Sequence, residues 1–156
     1  MRDETWELIE ELFSRHPVLR AEEVPISEIE AAEAVIGVHL SNDYKQFVGR
    51  YGGAIVGPFP VFGLRRAQAM AKNDGSFVEV TRHFRHQGWP GTERWAIISV
   101  DHAGNPIGLD SEGKVWICDH DARAVQQLAN DFENYIRTRC LRVPDDPVSL
   151  KTKNQK

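Results

Sequence analysis

The run from Glu33 to Gly53 constrains this chain more tightly than any other part of it. Ile29, Ala32 and Ile36 form an apolar helical stripe that Gly37 stops. After a short connection, Ser41 stands where a helix N-cap belongs, with Asp43 in the favourable first turn. Tyr44, Phe47, Val48 and Tyr51 then follow the i, i+3, i+4, i+7 spacing of a buried face before the Gly52-Gly53 break. Two helices joined so closely need a common apolar partner. Upstream, Asp3 to Phe13 reads as a helix with Trp6, Ile9 and Phe13 on one side, ended by His16-Pro17. A capping box of Ser27 and Glu30 is predicted to open the helix that Gly37 closes.

Past the glycine pair the period changes. Ala54-Ile55-Val56 and Val61-Phe62-Gly63 read as two short strands about the Gly57-Pro58-Phe59-Pro60 turn, and the segments Arg65 to Ala71 and Phe77 to Gln87 read as helices. Strands at Trp95 to Val100, Ile107 to Leu109 and Val115 to Cys118, with close turns between them, predict an antiparallel meander. A closing helix is predicted from Ala124 to Arg139, because Val125, Leu128, Ala129, Phe132, Tyr135 and Ile136 recur at helical spacing. Helical and strand periods are segregated along the chain, which predicts an α+β fold: N-terminal helices packed with a mainly antiparallel sheet and a C-terminal helix.

A hydrophobic fraction of 41% with 27% charged residues is ordinary for a globular chain. Residues 1–143 read as a single domain. Residues 144–156 begin at Pro144-Asp145-Asp146-Pro147, carry Lys151, Lys153 and Lys156, and read as a flexible basic tail. The net charge is −4, from 19 basic and 23 acidic residues, which argues against sequence-independent nucleic-acid binding. Neither a signal core nor a bilayer-length apolar run is found, so a cytoplasmic protein without a membrane partner is expected. Cys118 and Cys140 lack metal-like spacing, and neither a structural disulfide nor a cofactor is expected.

Glu33, Ile36, Gly37, Leu40, Asp43, Tyr44, Lys45, Phe47, Gly52 and Gly53 match, in order, a pattern typical of the SUKH superfamily, which this chain resembles. Its best-known branch is the Smi/Knr family of cell-wall regulators and bacterial immunity proteins. Ser41 replaces the family's usual proline, and both residues suit the start of a helix. Gly104-Asn105, Ile107-Gly108-Leu109-Asp110, Gly113, Val115, Asp119-His120 and then Leu128-Ala129 and Phe132 extend the resemblance to about residue 139. The resemblance implies binding and not catalysis. The expected role is an immunity protein that neutralises a cognate toxin, a nuclease or another cytotoxic enzyme, by stoichiometric association. The alternative it implies is a regulatory interaction scaffold.

Two groups of residues could carry chemistry. Asp101-His102, Asp110 and Asp119-His120-Asp121 lie near the ends of the predicted strands and offer metal-ligand or acid–base types, yet no pair has diagnostic ligand spacing, and stabilisation of turns is the favoured role. Arg82-His83-Phe84-Arg85-His86 with Trp89 interleaves basic and aromatic groups as phosphate and base contacts do, but on one helix Phe84 belongs to the core and the arginines to solvent. Neither a nucleophile elbow nor a P-loop is found, so no catalytic residue and no metal ligand is assigned, and a metal-dependent enzyme built on the Asp/His loops is the least favoured function. The partner-binding surface is expected where polar loops meet an exposed aromatic: Arg82, Arg85, Trp89, Asp101, His102, Asp119, His120 and Asp121.

Overall fold

Helix α1 spans Asp3–Arg15, α2 spans Ile26–Ile36 and α3 spans Asn42–Tyr51. These come from a computed structural model that describes residues 1–143; the tail read at residues 144–156 lies outside the described residues. The α2–α3 connection is built as its sequence dictates. Gly37 ends α2 in the left-handed region at φ 69°, and the Ser41 hydroxyl accepts the Tyr44 N–H to cap α3. Glu33 pins the turn between them, because its carboxylate accepts the Leu40 N–H at 2.7 Å and pairs with Lys45 at 3.1 Å. That explains why a glutamate stands four residues before the glycine.

The buried face of α3 is an aromatic ladder. Tyr44 meets Phe77 and Phe132 edge-on at 5.8 and 5.4 Å, Phe47 meets Phe132 and Tyr51, and Tyr51 meets Phe13 of α1 at 4.8 Å. The Tyr44 hydroxyl, fully buried, donates to the Phe62 carbonyl. Glycines let the chain cross itself at the end of α3. The Gly52 carbonyl accepts the N–H groups of Leu64 and Arg65 at 2.7 and 2.9 Å, and a Cβ on Gly52, whose φ is 74°, would lie 2.1 Å from the Glu22 carbonyl.

Two antiparallel sheets follow, β1 (Ala54–Val56) with β2 (Phe59–Val61), and the meander β3 (Ala96–Val100), β4 (Pro106–Leu109), β5 (Val115–Asp119) and β6 (Ala124–Ala129) in that spatial order. Helix α4, Phe77–His86, lies between them in the chain. The meander has two apolar faces. Ala96, Ile98, Leu109 and Val115 join the main core with the helices, while Trp95, Ile97 and Cys118 pack with Phe84 of α4 in a second, smaller cluster. No helix among the described residues is long and apolar enough to cross a membrane. The predicted α+β arrangement is the observed one.

Four local expectations fail for tertiary reasons. Ala124–Ala129 is strand β6 and not the first half of a helix: it pairs with β5, Gln127 opposite Trp116 and Val125 opposite Cys118, and the helix α5 starts only at Phe132, capped by Asp131, and passes through Tyr135 into a π-turn at Ile136–Cys140. Arg65 to Ala71 is not helical, because Arg65 is tied to Gly52 and the Ala69 N–H donates to the Val18 carbonyl. The second strand lies two residues earlier than expected, since Gly57-Pro58 alone makes the turn and Val56 pairs with Phe59. Helix α2 begins at Ile26 behind Pro25, without the Ser27–Glu30 box: Val24 is anchored by its N–H to the Gly49 carbonyl, and this sets where the helix enters.

The two glycines that end α2 and α3 separate backbone strain from steric exclusion. Gly37→Ala meets nothing within 4 Å and should cost only the left-handed penalty of about 1–2 kcal/mol. Gly52→Ala should exceed roughly 3 kcal/mol, read from urea midpoints at constant m-value. Burial pushes the Glu33 carboxyl up, but the Leu40 N–H and Lys45 outweigh it and hold the group below the usual carboxylate range. A folded value below the unfolded one means that stability is present above the unfolded pKa and lost as pH falls through the folded value. Urea midpoints measured from neutral pH down to about pH 3 should therefore fall more steeply for the wild type than for Glu33→Gln.

Candidate functional site

Helix α4 is opened by a complete capping box, the Ser76 hydroxyl accepting the Glu79 N–H and the Glu79 carboxylate accepting the Ser76 N–H. Its inward side buries Phe77, Thr81 and Phe84, which turns Arg82 and His83 to solvent. The Arg82 side chain makes no hydrogen bond or ion pair with any described residue. Arg85 behaves differently. Its guanidinium donates to the carbonyls of Ile36 at 2.8 Å, Thr92 at 2.9 Å and Trp95 at 3.2 Å, so it joins the end of α2 to the segment leading into β3. Burial lowers its pKa, yet the group stays protonated, and its charge strengthens all three bonds.

After α4 the chain turns back at Gly88, and Trp89 packs edge-on against Phe84 at 5.3 Å and against His120 at 5.9 Å. Two groups far apart in sequence thus meet: the aromatic after α4 and the β5–β6 turn. Trp89 is half-buried, and its indole N–H donates to Gln87.

Three aspartates hold the meander's turns. Asp101 accepts the N–H groups of Ala103 and Asn105, Asp110 those of Glu112 and Lys114, and Asp119 those of Asp121 and Ala122. Asp110 also accepts the Trp116 indole N–H at 2.8 Å. Asn105, buried and marked in the sequence only as part of the family pattern and not as a site residue, links two of these turns. Its amide donates to Asp101 at 3.0 Å, which directs its carbonyl to His120, where it accepts the backbone N–H at 3.0 Å and lies 2.6 Å from Nδ1. Nδ1 therefore carries the proton, and Nε2 is left facing Asp121 at 3.2 Å. The sequence signals for Asn105 are its place beside Gly104 in a turn and its position in the family pattern. His102 is exposed and sits against Phe59 of β2 at 5.3 Å, apart from the Asp101–Asn105–His120 network.

Asp119, His120 and Asp121 also place one ligand atom each within 4.8 Å of one another, the arrangement a divalent ion would need. Asp119 and His120 already serve the turn and Asn105, whereas Asp121 is open to solvent. Beside this patch, Trp95 and Trp116 stack nearly parallel at 6.5 Å on the floor of a groove of about 380 Å³, rimmed by Glu93, Arg94 and Val125. Cys118 and Cys140 are free and buried, and burial pushes both thiols up, Cys140 to about 12, which makes them poor nucleophiles at neutral pH.

Helices are followed by an antiparallel meander whose β3–β4 and β5–β6 turns meet at one end beside Trp89, with the Asp110 turn at the other end. The sequence names the class: residues 23–138 match the SMI1 / KNR4 family (SUKH-1). The chain belongs to this family, whose members are in general non-enzymatic proteins of protein–protein interaction. No curated protein shows significant similarity to the chain.

The two arginines of α4 should separate on substitution. Arg85→Ala leaves three carbonyls without their charged donor and should cost about 2–4 kcal/mol in chemical denaturation. Arg82→Ala should stay within about 0.5 kcal/mol, as is usual for an exposed side chain.

Proposed function

We propose that this protein is a bacterial immunity protein that neutralises a cognate toxin by binding it stoichiometrically in the cytoplasm. Membership of the SUKH-1 family over residues 23–138 carries the reading. It is supported by the patch where Trp89 meets His120, since the groups around it differ in what the fold already asks of them. Arg85 and Asp101 are held by backbone partners, whereas His120 with Asp121 on its Nε2 side lies beside a half-buried tryptophan, and Arg82 is exposed on α4. A partly exposed aromatic beside polar turn residues suits a protein surface better than the single-signed positive field that nucleic acid requires. The surface sits on turns, so its residues can change to match a different toxin while the helices and strands beneath stay the same. His102 and Asp119 belong to the same proposed surface, His102 toward β2 and Asp119 at the root of the β5–β6 turn.

The proximity of Asp119, His120 and Asp121 is the one observation that favours a second reading, a metal-dependent activity. Elemental analysis of the purified protein separates the two, because a metal enzyme should retain near-stoichiometric zinc, manganese or iron and lose it on His120→Ala.

Co-expression with the toxin domain encoded beside this gene should rescue growth, and the purified pair should form a complex in which toxin activity falls in proportion to bound protein. Trp89→Ala should weaken that complex by over tenfold, a cost of about 2 kcal/mol, in calorimetric titration. Rescue at strongly substoichiometric levels without a complex would mean catalysis. An undiminished affinity for Trp89→Ala would move the surface elsewhere.

A further inference from the structure

The three turns of the meander follow one plan, and one of them departs from it in a single residue. Each opens on an aspartate whose carboxylate accepts backbone N–H groups two to four positions ahead. Each closes on a residue of positive φ: Gly104 at 83° between β3 and β4, Gly113 at 87° between β4 and β5, and Arg123 at 50° between β5 and β6. Glycine adopts that region without penalty, whereas a Cβ there crowds the following carbonyl oxygen. The backbone conformation of the third turn is what the hairpin requires, and the arginine is not.

Nothing inside the molecule compensates for it. Arg123 is exposed, and among the described residues its side chain makes no hydrogen bond or ion pair. The two carboxylates of its own turn are engaged elsewhere, Asp119 by the N–H groups of Asp121 and Ala122, and Asp121 by Nε2 of His120 at 3.2 Å. Among the described residues one other non-glycine residue has a positive φ, Arg142, which follows the π-turn and stands outside the meander. Strain kept at an exposed turn, on a side chain with no internal use, points to a contact outside the chain.

We infer that Arg123 is a recognition residue whose guanidinium binds a carboxylate on the bound toxin. This role rests on the toxin-binding reading and adds to it a residue absent from the surface expected in the sequence. Arg123 lies in the same turn as His120, between the paired Asp119 and Ala124, and His120 packs on Trp89, so the contact is continuous with the aromatic patch. Charge selects the occupant. The planar fork of a guanidinium matches a carboxylate or a phosphate. A nucleic-acid strand would bring a row of phosphates past Asp119 and Asp121 to reach a single arginine. A protein can instead set one carboxylate against Arg123 and one base against Asp121, whose side chain is 85% exposed. The turn that carries the arginine is already fixed by Asp119, so little backbone freedom is lost when the contact forms.

Calorimetric titration of the full chain against the toxin domain encoded beside this gene, with urea denaturation of each variant, provides the test. Arg123→Gly should raise the urea midpoint at unchanged m-value and yet weaken the complex by about tenfold or more. Arg123→Ala keeps the left-handed strain and removes only the side chain, so its midpoint should match the wild type while its affinity falls as far. Arg123→Lys, which keeps the charge and loses the fork, should bind with intermediate affinity. Arg142→Gly relieves strain of the same kind outside the meander and should leave the affinity unchanged. Added salt should weaken the wild-type complex more steeply than that of Arg123→Gly. A more stable Arg123→Gly that binds as tightly as the wild type overturns the role of Arg123 and leaves the toxin-binding reading in place. An Arg123→Gly no more stable than the wild type removes the strain and overturns it too, as does an equal loss of affinity in Arg142→Gly. A wild type that forms no complex defeats the toxin-binding reading and this role together. Binding of a single-stranded oligonucleotide that is lost in Arg123→Gly would give the arginine to phosphate and overturn the carboxylate assignment.

Discussion

The close crossing of Gly52-Gly53 with Gly63 to Arg65 is the contact on which the arrangement of this molecule depends. One carbonyl, that of Gly52, takes two backbone N–H groups, and a Cβ on Gly63 would lie 1.9 Å from it, so any side chain would force the two segments apart. The crossing sets where the chain goes on both sides. Upstream it fixes the end of α3, whose aromatic ladder collects α1, α4 and α5. Downstream, Phe62 is delivered to the edge of β3 and Phe77 to its place beneath Tyr44. The many aromatics of the core have no direction of their own, and the backbone contact decides which of them meet.

The meander divides its polar residues between holding the turns and facing solvent. Asp101, Asp110 and Asp119 each bind amides two to four residues ahead, so the turns are rigid and their outward side chains have defined positions. Arg85 does the same at longer range by joining α2, α4 and the approach to β3. Such pre-ordering lowers the entropy lost when a partner binds, and it gives a surface made of turns the precision that recognition needs. Trp89 packs on this scaffold, and His120 is fixed in it through Asn105.

Much of this was legible in the residues. The helix boundaries at Gly37, Ser41 and Gly52, the buried face of α3 and the three strands after Trp95 follow from local rules of capping and periodicity, which operate over a few residues. The role of Phe84 in the core was readable from its spacing. That Arg85 turns inward was not, since the three carbonyls it binds come from segments up to 49 positions away. Asn105 was hidden for the same reason: its partner His120 is 15 residues on, and nothing local distinguishes it from any other turn asparagine.

The segment from Ala124 to Ala129 marks the boundary most clearly. Its alanines, glutamines and leucine favour a helix, and its apolar residues repeat at helical spacing with those of the true helix that begins at Phe132. It became a strand because β5 offers a ladder of backbone partners on that side, and pairing with a formed sheet outweighs a propensity difference of a few tenths of a kcal/mol per residue. Sequence alone determined the α+β class, the family pattern and the turns, because those depend on the conformations of neighbouring residues. Tertiary structure alone decided which carbonyls receive Arg85, which turns converge on Trp89 and which strand is left at the edge, because those depend on what lies across space when the chain has closed.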